Sequence, residues 1–293
     1  MKNIKLTYLT STYNKLPFLK ERLSSLINNR KENEEILVAD GGSTDGTKEF
    51  LKSLNEENKI DYFISEKDRG ESEALNKLFL LAKGELMTLV TDDDIRHYPS
   101  IQKCKDFMLE HKEIDLLGSN GGFKNQYLDN TVRPLNYTSD FKEWMELSKP
   151  FGFCGLGLMI RKSSLPILGL WNPSFRRADA EYSLRVTSGH ANIAWFTSPT
   201  YVNISNPQSV SLVYQEKIKN ETNRLNKFYL NKNKDLYIIE KLKIIQNKLK
   251  NPKINKSASQ KNDFIEDWQE LVQISENWLN KENENNGEFL YKK

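Results

Sequence analysis

Leu86-Met87-Thr88-Leu89-Val90-Thr91-Asp92-Asp93-Asp94 runs from residues suited to a buried strand straight into three adjacent carboxylates. Neighbouring carboxylates repel one another, and a plain strand-to-helix turn has no need of three. A divalent cation among them relieves the repulsion. Mg²⁺ and Mn²⁺ take hard oxygen ligands, often one or two carboxylates completed by substrate phosphates. The carboxyl end of a buried strand is also where open α/β sheets bind ligands. The plainer alternative is a helix start carrying extra solvated acids, since Asp favours the first turn.

Working outward, the same pattern recurs. Ile4 to Thr10 is apolar and β-prone and is broken by Ser11-Thr12-Tyr13-Asn14. Leu16 to Ile27 has helical spacing. Glu35 to Ala39 predicts a second strand, stopped by Asp40-Gly41-Gly42-Ser43, and Thr47 to Leu54 a second helix. A third strand over Ile60–Ser65 and a helix over Glu73–Ala82 precede the strand Glu85–Val90. Pro99–Glu110 and Ile114–Ser119 continue as helix and strand. Strands alternating with helices across short polar turns predict an α/β fold, a Rossmann-like, mostly parallel sheet flanked by helices.

From about Thr131 to Asn203 the pattern loosens. Phe151–Ile160 and Ile193–Phe196 read as strands and Asp179–Thr187 as a helix. Gly152, Gly155 and Gly157 are in the wrong order for a dinucleotide fingerprint. Composition shifts near Asn206-Pro207. Residues 216–256 carry twelve Lys/Arg against four acids, about +8, and 257–293 about −4. Phe264, Trp268, Leu271, Val272, Trp278 and Leu279 share a helical stripe, with a linker over 250–261. A C-terminal helical extension packed on the core, or on a second subunit, follows. The sharper alternative is contact of the basic stretch with an anionic membrane surface.

The whole chain of 293 residues carries a formal charge of +3, too small to argue for nucleic acid. Cys104 and Cys154 are the two cysteines and lack metal-ligand spacing, so a reducing, cytoplasmic setting without disulfides is expected. No signal peptide and no membrane span is expected from the hydrophobic pattern.

Four loops at successive strand ends therefore converge on one rim: Ser11–Asn14, Asp40–Thr47, Ser65–Gly70 and Thr91–Asp94. They offer a hydroxyl, an aromatic ring, isolated carboxylates, a guanidinium and an acidic cluster. That set suits a nucleoside diphosphate, in which a ring stacks on the base and cations neutralise phosphates. Each loop taken singly also reads as a turn or cap.

These residues resemble family 2 glycosyltransferases of the GT-A fold over the first ~120 positions. The carriers are Leu9-Thr10-Ser11-Thr12-Tyr13-Asn14, Val38–Thr47, Glu66–Gly70, Ala74-Leu75-Asn76-Lys77 and Thr91–Asp94. The resemblance implies inverting transfer of a sugar from a nucleotide-sugar, commonly a UDP-sugar, with Mn²⁺ or Mg²⁺. It implies that Ser11 and Tyr13 line the nucleotide, that Asp40 binds the base, and that Asp68 and Arg69 lie near ribose and diphosphate. The metal motif falls at residues 91–94, with Asp93 as principal ligand and Asp92 and Asp94 assisting. Thr91, Ser11 and Gly41 depart from the family pattern, where Asp, Pro and Asp are usual. Arg177–Arg185 resembles the family's acidic motif, with Asp179 on the catalytic base and Glu181 as its alternative.

The resemblance thus implies residues 1–205 as a glycosyltransferase domain, 1–120 for the nucleotide-sugar and 121–205 for the acceptor, with 206–293 as a C-terminal helical region. The acceptor would be a saccharide or a lipid-linked saccharide, as in cell-surface polysaccharide or glycoconjugate synthesis. A homo-oligomer and a peripheral membrane contact through 216–256 stay open. A non-catalytic nucleotide-sugar-binding module on the same fold is the alternative. A nucleotidyltransferase ranks low, because residues 9–17 lack a basic, glycine-rich loop.

Overall fold

The computed structural model describes residues 3–125, 131–205, 214–230 and 268–292. Strands β1 (Leu6–Thr12), β2 (Glu34–Asp40), β3 (Tyr62–Ser65) and β4 (Leu86–Leu89) are parallel neighbours in the order β4-β1-β2-β3. Helices α1 (Leu16–Asn29), α2 (Thr47–Glu56) and α3 (Glu71–Leu81) connect them. Every residue of β2 is buried. That is the pattern of a strand covered on both faces, and it explains why Glu35–Ala39 shows no apolar–polar alternation.

Alternate residues of these strands feed two cores. Leu37 and Ala39 face α3, whose Leu75, Leu78 and Phe79 join them. Ile36 and Val38 face α1 and α2, with Leu19, Leu23 and Leu51. Helix α4 (Tyr98–Glu110) adds Ile101, Cys104 and Met108 to the second core. Two buried carboxylates close the amino ends of the strands, away from the rim. Glu34 accepts from Lys105 Nζ at 2.7 Å and Tyr8 Oη at 3.1 Å, and Glu35 accepts from Thr7 Oγ1 at 2.7 Å.

Beyond β4 the sheet turns mixed. Strand β6 (Leu116–Asn125) runs parallel to β9 (Ile193–Ser205), while β8 (Met159–Arg161) pairs antiparallel with both β4 and β6. The short β5 (Ile95–Arg96) and β7 (Val132–Leu135) pair antiparallel with β9 and β6. So the expected parallel character holds for four strands and gives way in the second half. There the ten-residue β6 and thirteen-residue β9 outrun the strands expected from sequence.

The expected strand Phe151–Ile160 is a correction. It is irregular from Phe151, makes a 3₁₀ turn at Gly155–Gly157, and becomes strand only at Met159. The reason is steric. A Cβ on Gly157 would stand 2.8 Å from the Ser119 carbonyl oxygen, so the segment crosses β6 too closely for regular pairing. Phe151 and Phe153 are buried against Trp195. Past the one-turn helix α6 (Leu165–Leu168), Trp171 stacks on Tyr182 of α7 (Ala178–Thr187) at 5.5 Å. Arg161 is buried: it pairs with Glu85 and donates to the Ile114, Met108 and His111 carbonyls. Helix α5 (Thr138–Leu147) was not legible in the sequence, because only Phe141 and Trp144 on it are buried.

Two glycines of β6 exist to admit rings from β9. A Cβ on Gly118 would lie 2.2 Å from Trp195 Cζ3, and one on Gly121 2.2 Å from Tyr201 Cζ. Gly118→Ala is expected to destabilise by about 1–3 kcal/mol, because a fully buried indole must be displaced. Thermal melts check this, and an unchanged Tm would show that the strand pair yields freely.

After β9, helix α8 (Gln215–Leu225) and a π-helical turn (Asn226–Leu230) lie by α7, and helix α9 (Trp268–Glu282) packs Trp268, Val272 and Leu279 against Ile95, Val202 and Ile204. Trp268 Nε1 donates to Glu21 of α1 at 2.6 Å. A final strand, β10 (Phe289–Tyr291), adds an antiparallel edge to β9. The helical stripe read from Trp268 onward is thus packed on the core. Phe264, the 250–261 linker and most of the basic 216–256 stretch lie outside the described residues. No helix among the described residues is long and apolar enough to cross a membrane.

Candidate active site

The carboxyl ends of β1, β2 and β3 are in register: Thr12 stands beside Asp40, and Asp40 beside Ser65. The loops that follow are stapled to one another. Asn14, in the left-handed region at φ 51°, donates its backbone N–H to Ser43 Oγ at 2.8 Å and accepts from Thr44 N at 2.8 Å. Asp45 accepts from Leu16 N at 2.9 Å and from Thr47 Oγ1 at 2.6 Å, so one carboxylate holds the starts of both α1 and α2. These bonds fix Tyr13 and Lys15 on the rim. Tyr13 presents its ring to solvent at 59% exposure, and Ser11 is half-buried.

Asp40 is buried and its oxygens accept from Ser43 N, Ser43 Oγ and Ser65 Oγ. Its carboxylate shapes the Gly41-Gly42-Ser43 turn. Asp68 lies directly behind: a Cβ on Gly41 would be 3.1 Å from Asp68 Oδ2. The loop after β3 thus delivers a carboxylate to the space that a side chain at residue 41 would have entered. Asp68 also accepts from Gly70 N at 2.8 Å, which sets up the start of α3. Arg69 is exposed and its guanidinium is turned along α3 to Glu73, at 2.6 Å.

The acidic triplet divides. Asp92 and Asp93 both face Lys15, whose Nζ lies 3.1 Å from Asp92 Oδ1 and 2.5 Å from Asp93 Oδ2. Asp94 is engaged by other partners. It accepts from Thr91 Oγ1 at 2.6 Å, Asn203 Nδ2 at 3.0 Å and Ile204 N at 2.7 Å, which ties the triplet to β9. Thr91 therefore serves as a donor to Asp94.

Two further acids border this cluster. Glu71 opens α3 directly after Gly70, and Asp179 lies in the first turn of α7, half-buried, accepting from Ala180 N. Glu71 keeps an exposed side, yet the protein crowded round its carboxyl and the charge of Asp179 push it up to about 7, against the pull of Lys15. Burial pushes Asp92 to about 6, with Lys15 opposing and Asp93 adding. Burial and then Asp93 push Asp94 to about 7. Burial alone would lower the Lys15 ammonium, but Asp92 and Asp93 outweigh it and hold it well above its ordinary value. Perturbed acids gathered together make this rim the candidate functional site.

Glu181, the other acid of the motif, is engaged elsewhere. It pairs with Arg185 at 2.9 Å and accepts from Tyr229 Oη at 3.4 Å. Arg176 donates its backbone N–H to Glu221 of α8 and lays its guanidinium over Tyr214.

Sequence reasoning missed Lys15 and Glu71. Lys15 meets acids 77 and 78 positions away, a pairing invisible in the chain. Glu71 had a signal: an acid straight after a glycine at φ 123°, in the first turn of a helix.

Two carboxylates converging on one positive group are a donor set that fits a hard divalent cation, with remaining positions left to phosphate and water. Among the described residues no group of three or more His, Cys, Asp or Glu side chains is arranged round a common metal position.

Comparison with known proteins agrees with this layout. The family described as "Glycosyl transferase family 2" matches residues 7–166. One relative is the Campylobacter jejuni GalNAc(5)-diNAcBac-PP-undecaprenol β-1,3-glucosyltransferase, 30% identical over 31% of this chain and 30% of that protein. Of eight curated relatives compared, seven are matched over less than half of their own length. Among solved structures, Staphylococcus aureus TarS 1-349 in complex with UDP superposes with a TM-score of 0.52, 19% identity, and coverage of 72% of this chain and 63% of that one. Mannosyltransferase PcManGT of Pyrobaculum calidifontis, in complex with GDP-Man and Mn²⁺, gives 0.52, 15% identity, and coverage of 95% and 72%. At these identities the two structures establish the fold, GT-A. With the family match spanning more than half of its residues, the chain belongs to glycosyl transferase family 2.

Proposed function

We propose that this chain is a divalent-metal-dependent, inverting glycosyltransferase that moves a sugar from a UDP-sugar to a saccharide or lipid-linked saccharide. The observation that carries this reading is the meeting of Asp92, Asp93, Glu71 and Asp179 at the carboxyl rim of the parallel strands, beside the Tyr13–Asp40–Asp68 loops. A nucleotide-sugar needs such a divided site. Its base and ribose want a ring and fixed polar groups, and its diphosphate wants cations.

Tyr13 would stack on the base and Asp40 would accept from it, with Ser11 and Asp68 flanking the nucleoside. Arg69 would exchange Glu73 for a phosphate oxygen, at small cost because the present pair is exposed. Asp93, with Asp92, would hold Mn²⁺ or Mg²⁺. Bound there, the ion would neutralise charge growing on the departing diphosphate. Asp94 would act on the site by anchoring the triplet to β9.

Transfer is a single displacement. The acceptor hydroxyl oxygen forms a bond to the anomeric carbon while the bond from that carbon to the diphosphate oxygen breaks on the opposite face. The hydroxyl proton passes to the Asp179 carboxylate. Glu181, already paired with Arg185, is poorly placed to take it. The undecaprenol-linked substrate in the name of the Campylobacter relative supports a lipid-linked acceptor and a role in cell-surface glycoconjugate synthesis.

A thermal-shift panel of nucleotide-sugars, each with and without Mn²⁺, tests the reading. A UDP-sugar is expected to raise Tm only when metal is present, by mass action on the folded state. A panel in which no nucleotide-sugar shifts Tm under either condition would sink it.

A further inference from the structure

Lys15 has no role in the donor binding proposed above, yet its ammonium lies between the two carboxylates that a metal would use. It reaches both Asp92 and Asp93 at hydrogen-bonding distance, and its side chain is 20% exposed. It is also the cation that offsets the charge felt by Glu71, Asp92 and Asp94. Its position is held from behind. Lys15 sits at the N-cap of α1, between Asn14, bound to Ser43 and Thr44, and Leu16, bound to Asp45.

We propose that Lys15 is a built-in counter-cation that occupies the metal position at Asp92–Asp93, so that a divalent ion binds only by displacing it. The inference rests on the metal-dependent reading above for the identity of the site, but not on catalysis. Two positive charges within ~4 Å repel appreciably even at a high effective dielectric. The ammonium and a divalent ion therefore cannot both use the same pair of oxygens. A lysine suits this task because it is a point charge on a flexible stem, able to swing out without a change of backbone. Without Lys15 the cluster would lose the ammonium that offsets the charge of Asp92, Asp93 and Glu71. Lys15 makes the metal-free chain stable at the expense of affinity for the free ion.

The test is Mn²⁺ binding to the full chain without any nucleotide, followed by the loss of the free Mn²⁺ paramagnetic signal. Lys15→Met is expected to bind Mn²⁺ roughly tenfold or more tightly than the wild type. Lys15→Arg, which keeps the charge, is expected to stay near the wild type. Lys15→Gln replaces the Met variant if that chain does not fold. Affinity that is unchanged or weaker on loss of the charge overturns the proposal, as does an Arg variant that binds as tightly as Met. Because no donor is present, failure of the UDP-sugar panel and failure of this titration are separate results.

Discussion

Asp179→Asn is expected to lower kcat by about 10²–10⁴-fold while leaving the affinity for a UDP-sugar with Mn²⁺ close to that of the wild type, because a general base acts on the acceptor proton and not on donor binding. The amide keeps the shape of the carboxylate and still accepts from Ala180 N, so the first turn of α7 should survive. Glu181→Gln is the informative contrast. Its carboxylate is committed to Arg185 and Tyr229, so its loss should lower Tm more than turnover. Steady-state kinetics of both variants, with donor binding measured separately, decide between the two acids. Wild-type turnover in Asp179→Asn would remove Asp179 from the chemistry.

Asp93→Asn should abolish the Mn²⁺-dependent thermal shift given by a UDP-sugar and cut turnover by at least about 10²-fold, since charge stabilisation by a bound ion supplies several kcal/mol. The variant removes a negative charge from the Lys15 site as well, so the chain without ligand should remain folded. Asp94→Asn is expected to behave differently. Asp94 accepts from Thr91, Asn203 and Ile204 N, so its substitution should appear first as a lower Tm and only indirectly in metal affinity. If Asp94→Asn eliminated the metal response while Asp93→Asn retained it, the division of the triplet drawn above would be reversed.

Much of the nucleotide half was legible because its signals are local. A strand, a Gly-, Asn- or Asp-rich stop and an amphipathic helix each fit within about a dozen residues. Ser11–Asn14, Asp40–Ser43 and Thr91–Asp94 could be assigned to the same rim because parallel strands present all their carboxyl ends on one side. The second half resisted for an equally physical reason. The strand expected over Ile114–Ser119 stops short of Gly121 and Gly122, yet β6 runs on to Asn125, and Gly121 is where Tyr201 of a distant strand lies against it. Phe151–Ile160 looks like a strand, yet its approach to Ser119 forbids regular pairing until Met159.

The sequence by itself determined the order of strands and helices in the first half, the sided rim and the family, all of which depend on periodicity, turn chemistry and short motifs. Tertiary structure alone decided which groups each acid faces. Asp92, Asp93 and Asp94 are consecutive in the chain, and Asp179 and Glu181 stand two positions apart, so only the resemblance ranked them. Hydrogen bonds from β9 engage Asp94, Arg185 engages Glu181, and Lys15, 77 positions distant from Asp92, gathers the remaining pair. Charge acts through space over a few ångströms, so the role of each carboxylate is set by neighbours that the order of residues does not reveal.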